Sequence, residues 1–204
     1  MRITKLLCLA AIPFFSQTAF ANTTGVPSGN VTIGIDAISD SGTRTFHLHS
    51  ETTDSAKADL SGDASGIRVR LQTKVDKNNA VELYFLSYDA DFEFKTNGGN
   101  AYDFGVAIVI SGNPGTIVPF GKLGVGIGFA PIEYVTADND FLANVHAGAA
   151  LGVKFALTDQ LSIVGSIEAV YRAWESVKVT DITYETADIA DDILRTNLGI
   201  EYSF

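Results

Sequence analysis

The stretch "NLGIEYSF", from Asn197 to Phe204, decides the fold. Its apolar residues alternate with small or polar ones; the apolar set is Leu198, Ile200, Tyr202 and Phe204. A period of two is typical of a β-strand with one apolar face. Chain ends are usually polar and frayed unless structure holds them. A strand that reaches the last residue of the sequence therefore needs a pairing neighbour, and its apolar face needs an apolar environment.

The beginning of the sequence predicts an export signal. Two basic residues precede an apolar run at positions 6–15, and a small-x-small pattern ends at Ala21. This three-part layout is typical of a secretory signal peptide, and the run is too short for a spanning helix. We therefore expect residues 1–21 to be cleaved and residues 22–204 to form a single domain.

The composition of residues 22–204 narrows the class of protein. The only Cys and the only Met lie in the predicted signal, so disulfides cannot hold an exported form together. Without Arg2 and Lys5 the net charge moves from −10 to −12, which argues against a nucleic-acid partner. No later stretch reaches about 18 consecutive apolar residues, so we expect no transmembrane helix.

Eight segments predict strands, and helical spacing is almost absent. Five segments alternate regularly, and three are less regular; in chain order the eight are 30–38, 66–74, 80–94, 101–110, 116–129, 143–157, 161–174 and 193–204. Many are close to or longer than ten residues, whereas ordinary strands average about 5–6. The register of 80–94 is open, because Glu82 and Asp89 require opposite faces unless a bulge intervenes. The sequence predicts an all-β fold.

The connections predict how the strands are arranged. Breaks at 76–79, 112–115 and 158–160 are short, whereas the polar stretch 39–65 and the acidic stretch 175–192 are long. Short and long connections that alternate along a meander are typical of a transmembrane barrel with tight turns at one end.

A soluble barrel would show the same period of two and remains the alternative. Aromatic residues near the predicted strand ends favour the membrane, because transmembrane barrels carry aromatic girdles at both interfaces. These residues are Phe104, Phe129, Tyr171, Tyr202 and Phe204.

The last residues also carry a family resemblance. Gly199, Tyr202 and Phe204 resemble the terminal signal of outer-membrane β-barrel proteins, and the chain is similar to the small group that includes OmpX, the Opa-like proteins and the membrane domain of OmpA. The resemblance implies an eight-stranded antiparallel up-and-down barrel over residues 22–204, in the outer membrane of a Gram-negative bacterium. It further implies a monomer whose final strand is recognised by the barrel-assembly machinery, with Phe204 facing lipid at the periplasmic rim.

The strand pattern predicts a charged barrel interior. An eight-stranded barrel is just wide enough for side chains to fill it, and an aqueous porin channel needs about 16 strands. The predicted inward set carries both signs of charge: Asp36, Arg68, Arg70, Glu82, Asp103, Lys122, Lys154, Glu168, Arg172, Arg195 and Glu201. Enclosed charges must pair, and we expect the arginines at 68, 70 and 172 to pair with the glutamates at 82, 168 or 201. A narrow gated channel is the alternative, because rearranged pairs could open a water path.

Signals for catalysis or metal binding are weak. His47 and His49 share a strand face in "FHLHSETTDS", but two ligands are too few for a metal site. His146 follows the inward pattern and is expected to be a hydrogen-bonded barrel residue. We predict no catalytic residue and no cofactor, and leave metal binding open; an enzyme acting on membrane lipid is the third hypothesis.

The predicted loops hold most of the negative charge. Their acidic residues are Asp54, Asp59, Asp63, Asp89, Asp91, Glu93, Asp138, Asp140, Glu175, Asp181, Glu185, Asp188, Asp191 and Asp192. Carboxylates of this kind either keep the rim solvated or hold divalent cations that bridge to anionic lipopolysaccharide. The sequence therefore predicts a structural or surface-interaction role through acidic extracellular loops, with outer-membrane lipid and lipopolysaccharide as partners.

Overall fold

The computed structural model describes residues 31–50, 55–90, 100–131, 141–178 and 186–204, and within these ranges the regular structure is entirely β. The strands are β1 (Val31–His49), β2 (Ala56–Lys74), β3 (Asn79–Ala90), β4 (Ala101–Ser111), β5 (Ile117–Pro131), β6 (Phe141–Ala156), β7 (Leu161–Trp174), β8 (Val177–Lys178) and β9 (Thr186–Ser203). None of the described residues belongs to a helix long and apolar enough to cross a membrane.

Eight of these strands close into a ring. Each long strand pairs antiparallel with the next, and β9 pairs with both β7 and β1, which closes the barrel. The two-residue β8 pairs only with the start of β9 and extends the last hairpin. The predicted eight-stranded antiparallel up-and-down barrel is confirmed.

The strand registers fix the size of the barrel. Starting at Ile33, the paired residues around the ring are Leu71, Leu83, Val106, Val125, Ala147, Tyr171, Asp192 and finally Thr43 on β1 again. The path returns ten residues further along β1, so the shear of the barrel is ten. With standard strand spacings this shear gives a tilt of about 40° and a backbone radius of about 8 Å.

The two faces of the wall differ as the sequence predicts. From Thr32 to Asp40, buried residues alternate with exposed ones, and the other strands repeat the pattern. The outward face is apolar in the middle of the barrel. Its aromatic residues cluster at two levels, with Tyr102, Phe104, Phe129 and Tyr171 towards the long connections and Phe155, Tyr202 and Phe204 towards the short turns. Such a wall suits a hydrocarbon core with an aromatic girdle at each interface.

Two predicted loops are largely strand. β1 continues to His49 and β2 begins at Ala56, so residues 39–65 are mostly a long hairpin and the predicted loop was wrong. β9 likewise begins at Thr186, inside the predicted loop 175–192. We call residues 39–49, 56–65 and 186–193 the outer extension. Its outward face is polar, mostly Ser, Thr, Asp and His, and a polar composition on a strand resembles that of a loop.

The register of β3 is regular. Its pairing with β2 runs without interruption from Ala64–Ala90 to Lys74–Ala80, so no bulge is needed. Glu82 is buried in the interior and Asp89 is exposed on the outside. Residues 91–94 of the predicted strand lie outside the described residues.

The turns between β2 and β3, β4 and β5, and β6 and β7 are short, as predicted. In the first of them the Asp76 carboxylate accepts hydrogen bonds from the side chain of Asn79 and from the backbone N–H groups of Asn78 and Asn79, at 2.7 to 2.8 Å. These bonds favour the ionised carboxylate and lower the pKa of Asp76. The side chain therefore closes the turn through local hydrogen bonds.

A closed barrel leaves no free strand edge from which unfolding can start. We expect the purified protein in detergent to migrate at one position on a denaturing gel before boiling and at another after boiling. Identical migration, together with recovery from a soluble periplasmic fraction, would contradict the closed membrane barrel.

Candidate functional site

The charged interior is the candidate site, because the predicted inward charges, Asp103 and ten others, lie inside the barrel. The ten are Asp36, Arg68, Arg70, Glu82, Lys122, Lys154, Glu168, Arg172, Arg195 and Glu201. Nine are buried, and the side chain of Lys154 is 16% exposed. Every one of them makes at least one ion pair.

Eight of these residues form one connected cluster, which we call the turn-side network: Asp36, Arg68, Arg70, Glu82, Lys122, Lys154, Glu168 and Glu201. Arg68 bridges Asp36 and Glu168, at 2.9 Å to each. Arg70 lies 2.7 Å from Asp36 and 3.5 Å from each of two glutamates, Glu82 and Glu201. The cluster ends with Lys154, which lies 3.0 Å from Glu201.

A second set lies towards the long connections, and we call it the loop-side network: Asp40, Arg44, Asp103, Arg172, Asp191 and Arg195. Arg172 pairs with Asp103 at 2.7 Å and with Asp191 at 3.5 Å. Asp191 also holds Arg44 at 2.6 Å and accepts a hydrogen bond from the indole of Trp174. Arg195 and Asp40 form a separate two-bond pair at 2.7 and 2.8 Å.

Each network is electrically balanced. The turn-side network has two arginines and two lysines against one aspartate and three glutamates, and the loop-side network has three arginines against three aspartates. Enclosed charges of one sign would be very costly, whereas matched pairs with hydrogen bonds can be accommodated. The charges of each network therefore balance one another.

The predicted partners of one arginine were wrong. Arg172 pairs with aspartates at 103 and 191 and not with the glutamates at 82, 168 or 201. Glu168 lies on the same strand, β7, four residues closer to the short turns than Arg172. The two side chains therefore belong to different layers of the barrel interior.

The sequence did not predict the inward position of three residues of the loop-side network. Asp40, Arg44 and Asp191 were assigned to polar loops, but they face inward on the outer extension, where Asp40 and Asp191 are 4% and 3% exposed. For Asp40 and Arg44, the available signal was their alternation with outward Ser39, Ser41 and Thr43 along β1.

Apolar residues close the interior beyond the turn-side network. Val109, Phe120 and Val164 pack together there, with Ala80 beside them. We call this cluster the turn-side plug. A water path through the barrel would have to cross this apolar layer as well as the ion pairs.

His146 sits between the networks as a hydrogen-bonded residue, as the sequence predicts. Its Nε2 lies 2.8 Å from the Tyr84 hydroxyl, and its Nδ1 lies 3.2 Å from Asn144 Oδ1. If Nδ1 carries the proton and donates to Asn144, Nε2 accepts from the hydroxyl of Tyr84. Both ring nitrogens are then satisfied in the neutral ring, which suits a structural role.

The three residues of the predicted assembly signal have different environments. Phe204 is exposed on the outside, and its N–H donates to the carbonyl of Val31 at 2.9 Å. Tyr202 packs edge-on against it, with ring centres 5.0 Å apart. Gly199 faces inward instead, and a Cβ there would collide with Asp36 Oδ1 and with the Ile35 carbonyl oxygen. Recognition by the assembly machinery stays a prediction.

His47 and His49 lie on the outward face of the outer extension. His49 Nε2 is 3.0 Å from Asp188, and a second bond from Ser176 is the larger cause of the lowered pKa of Asp188. Within the described ranges, no three His, Cys, Asp or Glu side chains converge as metal ligands. Of the predicted loop acids, Asp54, Asp91, Glu93, Asp138, Asp140, Asp181 and Glu185 lie outside the described residues.

A closed ring of tilted strands with an apolar outer wall and a charged, filled interior defines a transmembrane β-barrel. The chain belongs to the outer membrane protein beta-barrel domain family, whose model matches residues 7–203. The protein is therefore an outer-membrane protein, and the soluble alternative is excluded.

Solved structures agree with this fold. Neisserial surface protein A is 14% identical, with a TM-score of 0.53 over 89% of this chain and 100% of that one. OprG from Pseudomonas aeruginosa is 12% identical, with a TM-score of 0.56 over 88% and 97%. AlkL, studied in lipid bilayers, is 12% identical, with a TM-score of 0.50 over 93% and 96%. Among curated protein sequences, none matches this chain. At these identities the likeness concerns the fold alone.

The turn-side network predicts a large effect of removing one charge. Arg68→Met leaves Asp36 and Glu168 without their shared partner, and we expect the free energy of unfolding to fall by about 3–5 kcal/mol. The matched control is Lys57→Met, which breaks an exposed pair with Asp59 and should cost at most about 1 kcal/mol. Urea unfolding in detergent measures both. Equal small losses would show that the interior pairs do not stabilise the barrel.

Gly199 allows its packing role to be tested separately. We expect Gly199→Ala to destabilise the purified barrel by about 1–3 kcal/mol, because the added methyl group meets Asp36 and backbone. The control is Gly165→Ala on the adjoining strand, where the nearest atom to a Cβ is 4.0 Å away. A variant at 199 that refolds with unchanged stability but fails to insert in cells would instead support a signal role.

Proposed function

We propose that this protein is a non-conducting outer-membrane barrel that acts through its extracellular end as a structural or surface-interaction protein. The observation that carries the proposal is the contrast between the two parts of the molecule. The interior is filled by two balanced networks and the turn-side plug, whereas β1, β2 and β9 continue beyond the apolar wall as the outer extension.

The filled interior supports a closed barrel. Arg172 and Arg195 are 1–2% exposed, and the three apolar side chains of the turn-side plug are at most 6% exposed. Conduction requires a water path, and side chains as buried as these leave none at their own layers. A gated channel would need both the ion pairs and the plug to move.

The outer extension supports contact with the headgroup region of the membrane. On its outward face, Asp63 lies opposite Ser41 and Asp192 lies opposite Thr43, directly above the apolar wall. Carboxylates at this level suit divalent cations that bridge to lipopolysaccharide phosphates. Export through residues 1–21 and delivery by the assembly machinery belong to the same proposal.

The closed state is tested by single-channel recording in planar bilayers. We expect no discrete conductance from the wild type, and none from Phe120→Ala combined with Val109→Ala, because thinning the turn-side plug leaves both ion-pair networks in place. Discrete openings of the wild type would favour the narrow channel over a closed barrel.

The partner is tested by lipopolysaccharide binding to the protein in lipid nanodiscs, with magnesium or with a chelator. We expect magnesium-dependent binding that Asp63→Asn with Asp192→Asn weakens and that Asp159→Asn, in a turn at the opposite end, leaves unchanged. Binding that ignores both the chelator and the double substitution would contradict cation bridging.

A further inference from the structure

An open apolar groove lies on the outward face of the barrel wall. Its volume is about 620 Å³, and small-molecule sites have volumes of about 300–1,000 Å³. Phe104 and Tyr171, two aromatic residues of the level towards the long connections, both line it, and β3 to β7 contribute to its walls. The groove is therefore large enough for a ligand, and it lies on the opposite side of the wall from the charge networks.

A short residue, Ala147, opens the groove. Its direct neighbours are Val125 on β5 and Tyr171 on β7, and all three side chains face outward. Two residues nearer the long connections, Val145 lies opposite Ala173, another short residue of the lining. The two alanines beside larger side chains leave a recess in the wall, and the recess runs towards the extracellular end.

The lining of the groove favours an apolar occupant. Among the described residues that form it, none is Asp, Glu, Lys or Arg. The groove lies at the level of the aromatic girdle on the side of the long connections, and in outer-membrane barrels the longer connections are extracellular. It therefore opens into the outer leaflet of the membrane, where the apolar group within reach is the acyl chain of a lipid.

A carboxylate lies beside the groove at the headgroup level. Tyr171 is directly opposite Asp192 on β9, and the Cβ atoms of opposite residues are about 4.5–5.5 Å apart. Asp192 is one of the two acids that we propose to hold lipopolysaccharide phosphates through divalent cations. One amphiphile can therefore reach both places, with its phosphate near Asp192, its chain in the groove and the Tyr171 ring between them.

We propose that the groove holds one acyl chain of a bound lipopolysaccharide molecule. The chain packs over Ala147, against Val125, Ile127 and Val145. Inside a bilayer there is no hydrophobic driving force that favours one chain over another, so the preference comes from close packing in the recess and from the phosphate bridge. This inference rests on the proposed lipopolysaccharide contact and adds the place of its chain.

The contact is tested by NMR on otherwise deuterated protein with labelled alanine methyl groups, in nanodiscs of chain-deuterated phosphatidylcholine. Equimolar rough-type lipopolysaccharide, added with magnesium, supplies the protonated chains. We expect nuclear Overhauser effects from these chains to the methyl groups of Ala147 and Ala173. The outward methyl group of Ala37 on β1 is the control, because it faces lipid outside the groove, and it should show no effect above background.

Ala147→Phe fills the recess and should weaken lipopolysaccharide binding about fivefold. Val153→Phe, which is outward on the same strand but nearer the short turns, should leave binding unchanged. The proposal is overturned if Ala37 shows effects as strong as Ala147, or if equimolar protonated phosphatidylglycerol gives the same pattern. Effects at Ala147 from a second, protonated copy of the protein would mean that protein covers the groove, and this too overturns it.

A chelator separates the position of the chain from the cation bridge on which the proposal rests. If Ala147→Phe binds with wild-type strength and still needs magnesium, the bridge is correct and the chain lies elsewhere, which overturns the inference. If the effects at Ala147 persist when magnesium is removed, the groove holds the chain and the bridging proposal alone fails.

Discussion

Inside a membrane, every backbone N–H and C=O has to find its partner within the protein. In this chain the condition is met by the seam between β1 and β9, which is paired from Thr32 to His49. This seam and the other seven strand pairings together give a shear of ten. The shear sets a radius of about 8 Å, and the radius sets how much interior the side chains must fill. The charge networks and the turn-side plug all lie within a volume that backbone pairing determines.

The chemistry of the interior follows from where the apolar residues are needed. The apolar residues lie on the outer wall, where they contact lipid, so the inward positions can be polar. Polar groups in a closed space must then satisfy one another, and they do so in two sets with equal numbers of positive and negative side chains. Glycines such as Gly199 make room for this arrangement, because a methyl group there would occupy the position of the Asp36 carboxylate.

Much of this structure can be predicted from the sequence. The period of two gives the strands, and charged residues on the less apolar face give the inward set. The outer extension could not be predicted in the same way, because its outward face is polar and its inward face mixes charged, small and apolar residues, so the contrast that marks a strand is lost. Asp40, Arg44 and Asp191 were therefore assigned to loops. The partners of Arg172 also escaped prediction. Which inward side chains lie at the same level of the barrel depends on all eight strand registers together. The sequence of one strand does not contain this information.

The outward and inward faces of the barrel wall tolerate different kinds of amino-acid substitution. The hydrocarbon environment requires only that an outward residue be apolar, so Ile35, Leu198 or Ile200 can be replaced by many other apolar residues. An inward charge is tied to its partners, so a lasting replacement at Arg68 calls for compensating changes at Asp36 and Glu168. Half of the wall is thus free to vary and the other half can change only by coordinated substitution. Solved barrels can therefore share this fold at 12–14% identity.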